Sequence, residues 1–210
     1  MISSTCIQAA SLAFKLQAEC LNEAFSHVDE VEFSRAVVAL ANAERIAASG
    51  CGHSGIACQH FAHLMCCIEK PARFISPSEA VHGGIGFIQK GDVMLLASRG
   101  GKTSELLPIL EICKAKGATV IAVTENIKSP LAMGADIVLK MYVTRETDRD
   151  NCQGTTSNTV LNVLFDALQA ALIEMLDFCV EKFAVVHPGG AVGERLNNDN
   201  RKKCGIASSV

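Results

Sequence analysis

The sequence predicts an α/β protein: a five-stranded, parallel, doubly wound sheet flanked by helices, preceded by an N-terminal helical pair. Three observations carry this expectation. From residue 45 onward, short apolar runs alternate with helical patterns, as they do where each strand is followed by a crossover helix. Several runs are apolar on both faces, Val93-Met94-Leu95-Leu96-Ala97 most clearly, which fits strands covered by helices above and below. Glycine-rich segments follow two of the runs at the point where strand gives way to helix, a junction that exposes backbone amides.

The elements follow in order. Residues 1–44 read as two helices for packing or oligomerisation: 2–28 carries apolar residues at helical spacing, and Asp29 is placed to cap a second helix running to about Glu44. Strands are expected at 45–49, 73–76, 93–98, 119–124 and 137–142. Helices are expected at 54–68, 104–116 and 130–134, with a long one after Thr155. The longest apolar stretch, 160–180, is interrupted by Asp166, Glu174 and Asp177. Its apolar residues repeat at three and four, the mark of an amphipathic helix in a soluble core rather than a membrane span. Residues 45–196 thus form the ligand-binding domain. The polar tail 197–210, with Arg201-Lys202-Lys203, reads as a solvated frayed end, not a nucleic-acid patch.

Composition narrows the function classes. The chain has 210 residues, 49% hydrophobic and 20% charged, enough apolar content to exclude general disorder. Only 5% is aromatic, with no Trp and one Tyr, and the net charge is −3; that argues against base stacking and phosphate-backbone binding. Ten cysteines and a mean hydropathy of +0.27 raise the possibilities of a secreted disulfide scaffold or a membrane protein. No C-x-x-C pair and no export signal is present. Buried or half-buried free thiols in a reducing cytoplasm are the better reading.

Parallel sheets hold ligands at the carboxyl ends of their strands, so the loops leaving the strands are where chemistry is expected. Gly50-Cys51-Gly52-His53-Ser54-Gly55 matches G-x-G-x-x-G. A dinucleotide would also want a carboxylate at the end of the next strand, but that strand closes Phe74-Ile75-Ser76 before Pro77. A smaller phosphorylated ligand is therefore preferred, with an unliganded tight turn as the bland alternative. The second loop, Ser98-Arg99-Gly100-Gly101-Lys102-Thr103-Ser104-Glu105, combines hydroxyls, cations and helix-start amides suited to phosphate. An ordinary helix cap would not need Arg99 and Lys102. Glu105 is expected one turn into the following helix, facing the ligand. Glu146 lies in a charged loop whose Asp148, Arg149 and Asp150 read as solvated, while Thr155, Thr156 and Ser157 open the long helix as caps or second substrate contacts. His82 and His187 stand among glycines that leave an imidazole accessible. His60, His63, Cys66 and Cys67 have spacing for a soft metal, but core packing explains them adequately.

With these motifs laid out, the chain resembles the sugar isomerase (SIS) domain family, in its arabinose-5-phosphate isomerase branch. The resemblance rests on the 50–55 loop, Pro77-Ser78-Glu79-Ala80-Val81-His82-Gly83, the 98–105 loop, Thr155-Thr156-Ser157 and His187-Pro188-Gly189-Gly190-Ala191-Val192-Gly193, and spans about residues 35–196. It implies a cytoplasmic homotetramer, without metal or organic cofactor, that interconverts D-arabinose 5-phosphate and D-ribulose 5-phosphate on the route to an octulosonic acid of lipopolysaccharide or capsule. It also implies that this chain ends before the C-terminal regulatory domain pair of longer members. Carried over by motif, Gly52, Ser54, Ser98, Arg99, Lys102, Thr103, Ser104, Thr156 and Ser157 belong to substrate or phosphate. Glu105, Glu146, His82, His187 and His53 belong to the reacting carbons, some reaching the site from a neighbouring subunit.

Aldose–ketose isomerisation through an enediolate needs a carbon base, an oxygen proton shuttle and polarising groups. A glutamate of raised pKa suits the first, either Glu105 or Glu146; His187 suits the second; His53 and His82 suit the third. Two departures from the family pattern stand out. His53 replaces the usual Lys, and an imidazole carries that charge only when protonated, so charge stabilisation fades with rising pH. Gly100-Gly101-Lys102 replaces Ser-Gly-Glu. The alternatives are isomerisation of a heptose or hexulose phosphate, or a sugar-phosphate-binding module without turnover. Cys51, inside the first loop, is the thiol whose modification is expected to impair function.

Overall fold

The computed structural model describes residues 3–203, with side chains to residue 198. Five parallel strands, β1 (Ile46–Gly50), β2 (Ala72–Phe74), β3 (Val93–Ala97), β4 (Thr119–Thr124) and β5 (Ile137–Lys140), form one sheet in the order β2-β1-β3-β4-β5. β1 pairs with β2 on one side and β3 on the other, Ile46 opposite Ala72 and Val93. The chain winds outward from β1 in both directions, so the crevice at the carboxyl ends of β1 and β3 is the topological switch point.

Alternation along the strands divides the core. Ile46, Ala48, Val93, Leu95 and Ala97 face a layer made by α2 (Glu30–Asn42), α3 (Gly52–Cys67) and α7 (Thr156–Met175). Ala47, Met94 and Leu96 face α5 (Leu107–Lys116) and α6 (Pro130–Gly134). In the first layer Phe61 of α3 meets Phe165 of α7, ring centroids 4.8 Å apart, a contact worth about 1 kcal/mol beyond its buried area. α1 (Ser4–Ala24) leans on α7 through its second half, with Cys20 buried, while residues 3–12 are exposed throughout.

The Asp29 cap forms as expected, its Oδ1 accepting from the Val31 and Glu32 amides at 2.9 and 3.1 Å. Glu32 then reaches the outer edge of the sheet, where its Oε2 accepts the Val138 amide of β5 at 2.9 Å. The edge strand is thereby blunted against pairing with another chain.

Several boundaries differ from the expectation. α1 gives way at Ala24 to a 3₁₀ turn, Phe25–His27. α5 starts at Leu107, not Ser104, because residues 104–106 fold as a turn closed by Leu106 N–H donating to Thr103 O at 3.0 Å, with Pro108 then in the first helical turn. The short helix α4 (Pro77–Ala80) and a 3₁₀ turn, Gly84–Phe87, were not foreseen. The last described elements are α8 (Val180–Val186) and α9 (Gly190–Lys203), so the expected frayed tail is helical through Lys203; residues 204–210 lie outside the described residues.

The thiols are also more exposed than expected. Cys20, Cys58 and Cys113 are buried and Cys51 and Cys67 half-buried, but Cys6, Cys66, Cys152 and Cys179 are exposed; all of these are free. Hydropathy alone misplaces them because a thiol is small enough to sit on either side of a helix. No helix among the described residues is long and apolar enough to cross a membrane.

Candidate functional site

The first loop is made by a close approach of strand and helix. A Cβ on Gly50 would lie 2.9 Å from the Ser54 carbonyl, and one on Gly55 would lie 2.6 Å from Gly50 O, so only glycine lets α3 start this near the end of β1. No side chain caps α3, which leaves its first amides facing outward with the positive end of the helix dipole. Beside them opens a cleft of about 380 Å³ lined by Gly50, Cys51, Gly52, Ser76, Ser78 and Glu105 among others. Ser54, in the first turn of α3, is half-buried.

The second loop is braced from beneath. Ser98 Oγ lies 2.8 Å from Thr103 Oγ1 and accepts the Gly101 amide at 3.1 Å. Gly101 adopts φ +64°, and a Cβ there would sit 2.0 Å from Ser129 Oγ. Arg99 O accepts from Thr124 Oγ1 and the Glu125 amide at 2.9 and 3.0 Å. Above this floor Lys102, Ser104 and Glu105 are exposed. The Glu105 backbone amide and the Ser104 hydroxyl, 2.9 Å from Glu105 Oε2, hold that carboxyl below its usual range. Glu105 therefore stands in the turn before α5 and ionised, not one turn inside the helix with the raised pKa expected of a carbon base. Cys51 lies close enough for the Glu105 charge to matter; burial, then that charge, pushes its thiol up.

Glu146 occupies a different environment. Its Oε1 takes Arg99 Nη1 at 2.5 Å, and its Oε2 accepts the Thr155 and Ser157 amides at 2.8 and 3.2 Å and the Thr155 hydroxyl at 3.2 Å. Burial pushes this carboxyl up, but the hydrogen bonds from Ser157 and Thr155 and the Arg99 charge together hold it below the usual range. Its expected raised pKa is thus also corrected. Across the loop, Gly154 leaves room for the His53 ring, whose Cδ2 would lie 3.2 Å from a Cβ at that position.

A model of the SIS domain family matches residues 39–171. This chain belongs to the SIS domain family. It is 36% identical over 190 residues to the arabinose 5-phosphate isomerase KdsD of Pseudomonas aeruginosa, an alignment covering 90% of this chain and 58% of that protein. The chain therefore spans little more than half the length of that curated relative. A Listeria monocytogenes structure described as a candidate sugar-phosphate isomerase superposes with a TM-score of 0.87 at 36% identity, covering 90% of this chain and all of that one. An Escherichia coli CFT073 protein in complex with arabinose 5-phosphate superposes at 0.83 and 28% identity, with the same coverage. The α/β doubly wound SIS fold expected from the sequence is the fold observed.

Not every expected site residue reaches the cleft of this SIS domain. Arg99 gives Nε to Glu125 Oε2 at 2.8 Å as well as Nη1 to Glu146, so two of its guanidinium nitrogens are taken by carboxylates. Thr156 is fully buried, and Ser157 is nearly so; Thr156 turns its side chain away from solvent, while Ser157 serves Glu146. His82 is exposed on the turn after α4, in the same segment as the cleft-lining Ser76 and Ser78. His187 ends α8 in a separate cavity of about 490 Å³ with His63, Cys67 and Phe183. That cavity lies at the C-terminal end of α3, whereas the loops lie at its N-terminal end. Sixteen residues of helix put about 24 Å between the two, so one chain does not bring His187 to Glu105.

The His60, His63, Cys66 and Cys67 group is not core packing as expected: His60, His63 and Cys66 are exposed. His60 meets Asp166 at 3.2 Å and His63 meets Cys67 at 3.6 Å. Among the described residues no three His, Cys, Asp or Glu side chains are grouped to hold a metal. Sequence reasoning missed Glu125, Asn151 and Gly154. Glu125 had a signal, a carboxylate at the tip of β4; Asn151, whose Oδ1 accepts the Glu146 amide at 2.7 Å, had none.

Proposed function

We propose that this SIS domain interconverts D-arabinose 5-phosphate and D-ribulose 5-phosphate. The observation that carries the reading is the exposed Glu105 carboxylate on a cleft walled by the uncapped start of α3. The likeness to arabinose 5-phosphate isomerase over 90% of the chain supports the choice of substrate. Phosphate is taken by the α3 amides from Gly52 onward with Ser54, and by Lys102, Thr103 and Ser104, while Ser98 braces Thr103 from below. Lys102 supplies the permanent cation because Arg99 is already paired.

Glu105 removes the proton on C2 of the open-chain aldose, and the electron pair moves to form the enediolate. The same proton returns to C1 of the ketose. A bound sugar sheds water from the carboxylate and strengthens it as a base, offsetting the hydrogen bonds that hold it low. His53 and His82 polarise the oxygens, and His187 of a second copy moves the proton between O1 and O2.

That last role needs an oligomer. Ile7, Leu12 and Phe14 of α1 stand 58%, 56% and 83% exposed, apolar surface suited to burial between copies in a homotetramer. We read the protein as cytoplasmic and as feeding an octulosonic-acid route. The test is incubation with arabinose 5-phosphate from about pH 6 to pH 9, following ribulose 5-phosphate. Steady formation is expected; tight binding with no turnover would replace the isomerase with a sugar-phosphate-binding module.

A further inference from the structure

Arg99 ties three strand-end loops together through one side chain. Its own backbone opens the loop after β3, Nε reaches Glu125 at the end of β4, and Nη1 reaches Glu146 in the loop after β5. Glu146 is only 2% exposed and its two oxygens are fully engaged, one by Arg99 and the other by the Thr155 and Ser157 amides and the Thr155 hydroxyl. A buried carboxylate in this setting needs its cation: removing the guanidinium would leave an unpaired charge beneath the loop.

The two ends of this clasp lead to the reacting groups. From Arg99 the braced loop runs six residues to Glu105. From Glu146 the loop runs through Asn151, which holds the Glu146 amide, to Gly154, which is packed against the His53 ring. The pairing of Gly50 with Ala97 sets the two loops side by side, and the contacts that join Glu105 to His53 around the far side of the site pass through Arg99.

From this geometry we infer that Arg99 is a positioning residue for the isomerisation rather than a phosphate ligand. It clamps the loops after β3, β4 and β5 into one floor that sets Glu105 against His53. The inference rests on the isomerase reading for its kinetic consequence, but the clamp itself does not.

Arg99→Gln, Arg99→Lys and Glu125→Gln in the full chain separate the two roles, with calorimetric affinity for arabinose 5-phosphate, kcat, and hydrogen exchange at the Thr155 and Ser157 amides as readouts. For Arg99→Gln, affinity is expected to stay within about threefold of wild type while kcat falls about 100-fold, the scale at which misplacing a reacting group shows. Exchange at Thr155 and Ser157 accelerates. Lysine reaches one carboxylate only, and Glu125→Gln weakens one arm, so both are expected to lose about tenfold in kcat at unchanged affinity. A direct phosphate ligand would behave in the opposite way: affinity would drop by about tenfold or more with exchange unchanged, and that result overturns the proposal. If Arg99→Gln does not fold, wild-type kcat and exchange in the other two variants overturn it equally. If wild type shows no turnover, the isomerase reading falls, and the exchange rates alone still decide whether Arg99 is the clamp.

Discussion

Glu105 and Glu146 are the same residue type in the same motif set, yet their surroundings give them different work. Glu105 is exposed on the cleft and accepts from a neighbouring hydroxyl; Glu146 is buried and receives donors on both oxygens. Glu105→Gln removes the proposed base and is expected to lower kcat by about 10²–10⁴-fold while sugar-phosphate affinity, by calorimetry, stays nearly intact. Glu146→Gln is expected to lower turnover as well, but by another route. Its new amide must point N–H groups at either Arg99 or the helix-start amides, donor against donor. A loss of about 1–3 kcal/mol in urea unfolding should accompany it and be absent from Glu105→Gln. If both variants isomerise normally, Glu105 is not the base and Glu146 does not support it. Cys51 follows from the same surroundings: with its thiol pushed up by burial and by Glu105, it is expected to alkylate slowly, and its place at the cleft is what makes its modification matter.

Among the elements, α2 shows how a cap carries consequences beyond its own helix. Asp29 fixes the start of α2, and the first turn then aims Glu32 at the Val138 amide on the sheet edge. Asp29→Ala is expected to cost about 1 kcal/mol in denaturant unfolding. The added observation is faster exchange at Val138, which a purely local cap would leave unchanged. α5 illustrates the converse. Its hydroxyl-rich approach has the composition of a helix start, but Ser98 and Thr103 hold each other instead of capping, and the helix waits until Leu107.

On the scale of the whole molecule, the separation of His187 from the strand-end loops decides how a complete site can form. On the proposed reading, His187, about one α3 length from its own chain's cleft, acts in another chain's cleft. Mixing His187→Ala chains with Glu105→Gln chains, each inactive alone, should restore about a quarter of wild-type turnover if each site draws its two groups at random from different chains. No recovery after verified subunit exchange would remove His187 from the site.

The strand–helix alternation, the two-faced apolar strands and the turn glycines made the sheet, its parallel sense and the cleft-forming loops legible in the sequence, because each leaves a local pattern of apolar periodicity and turn residues even where the paired strands lie far apart in the chain. Boundaries at 46–50 and 119–124 needed little or no adjustment for the same reason. The charge assignments were not legible in this way. Arg99 and Lys102 sit three residues apart with equal formal charge, and only the fold brings Glu125 and Glu146 to one of them and leaves the other open. Likewise the His187 motif was readable as a motif, but not as one at the far end of α3. The sequence determined which groups the protein carries and the layered sheet that presents them; the tertiary structure decided which are free to act, because pairing and burial between residues 26 to 47 positions apart cannot be read from spacing.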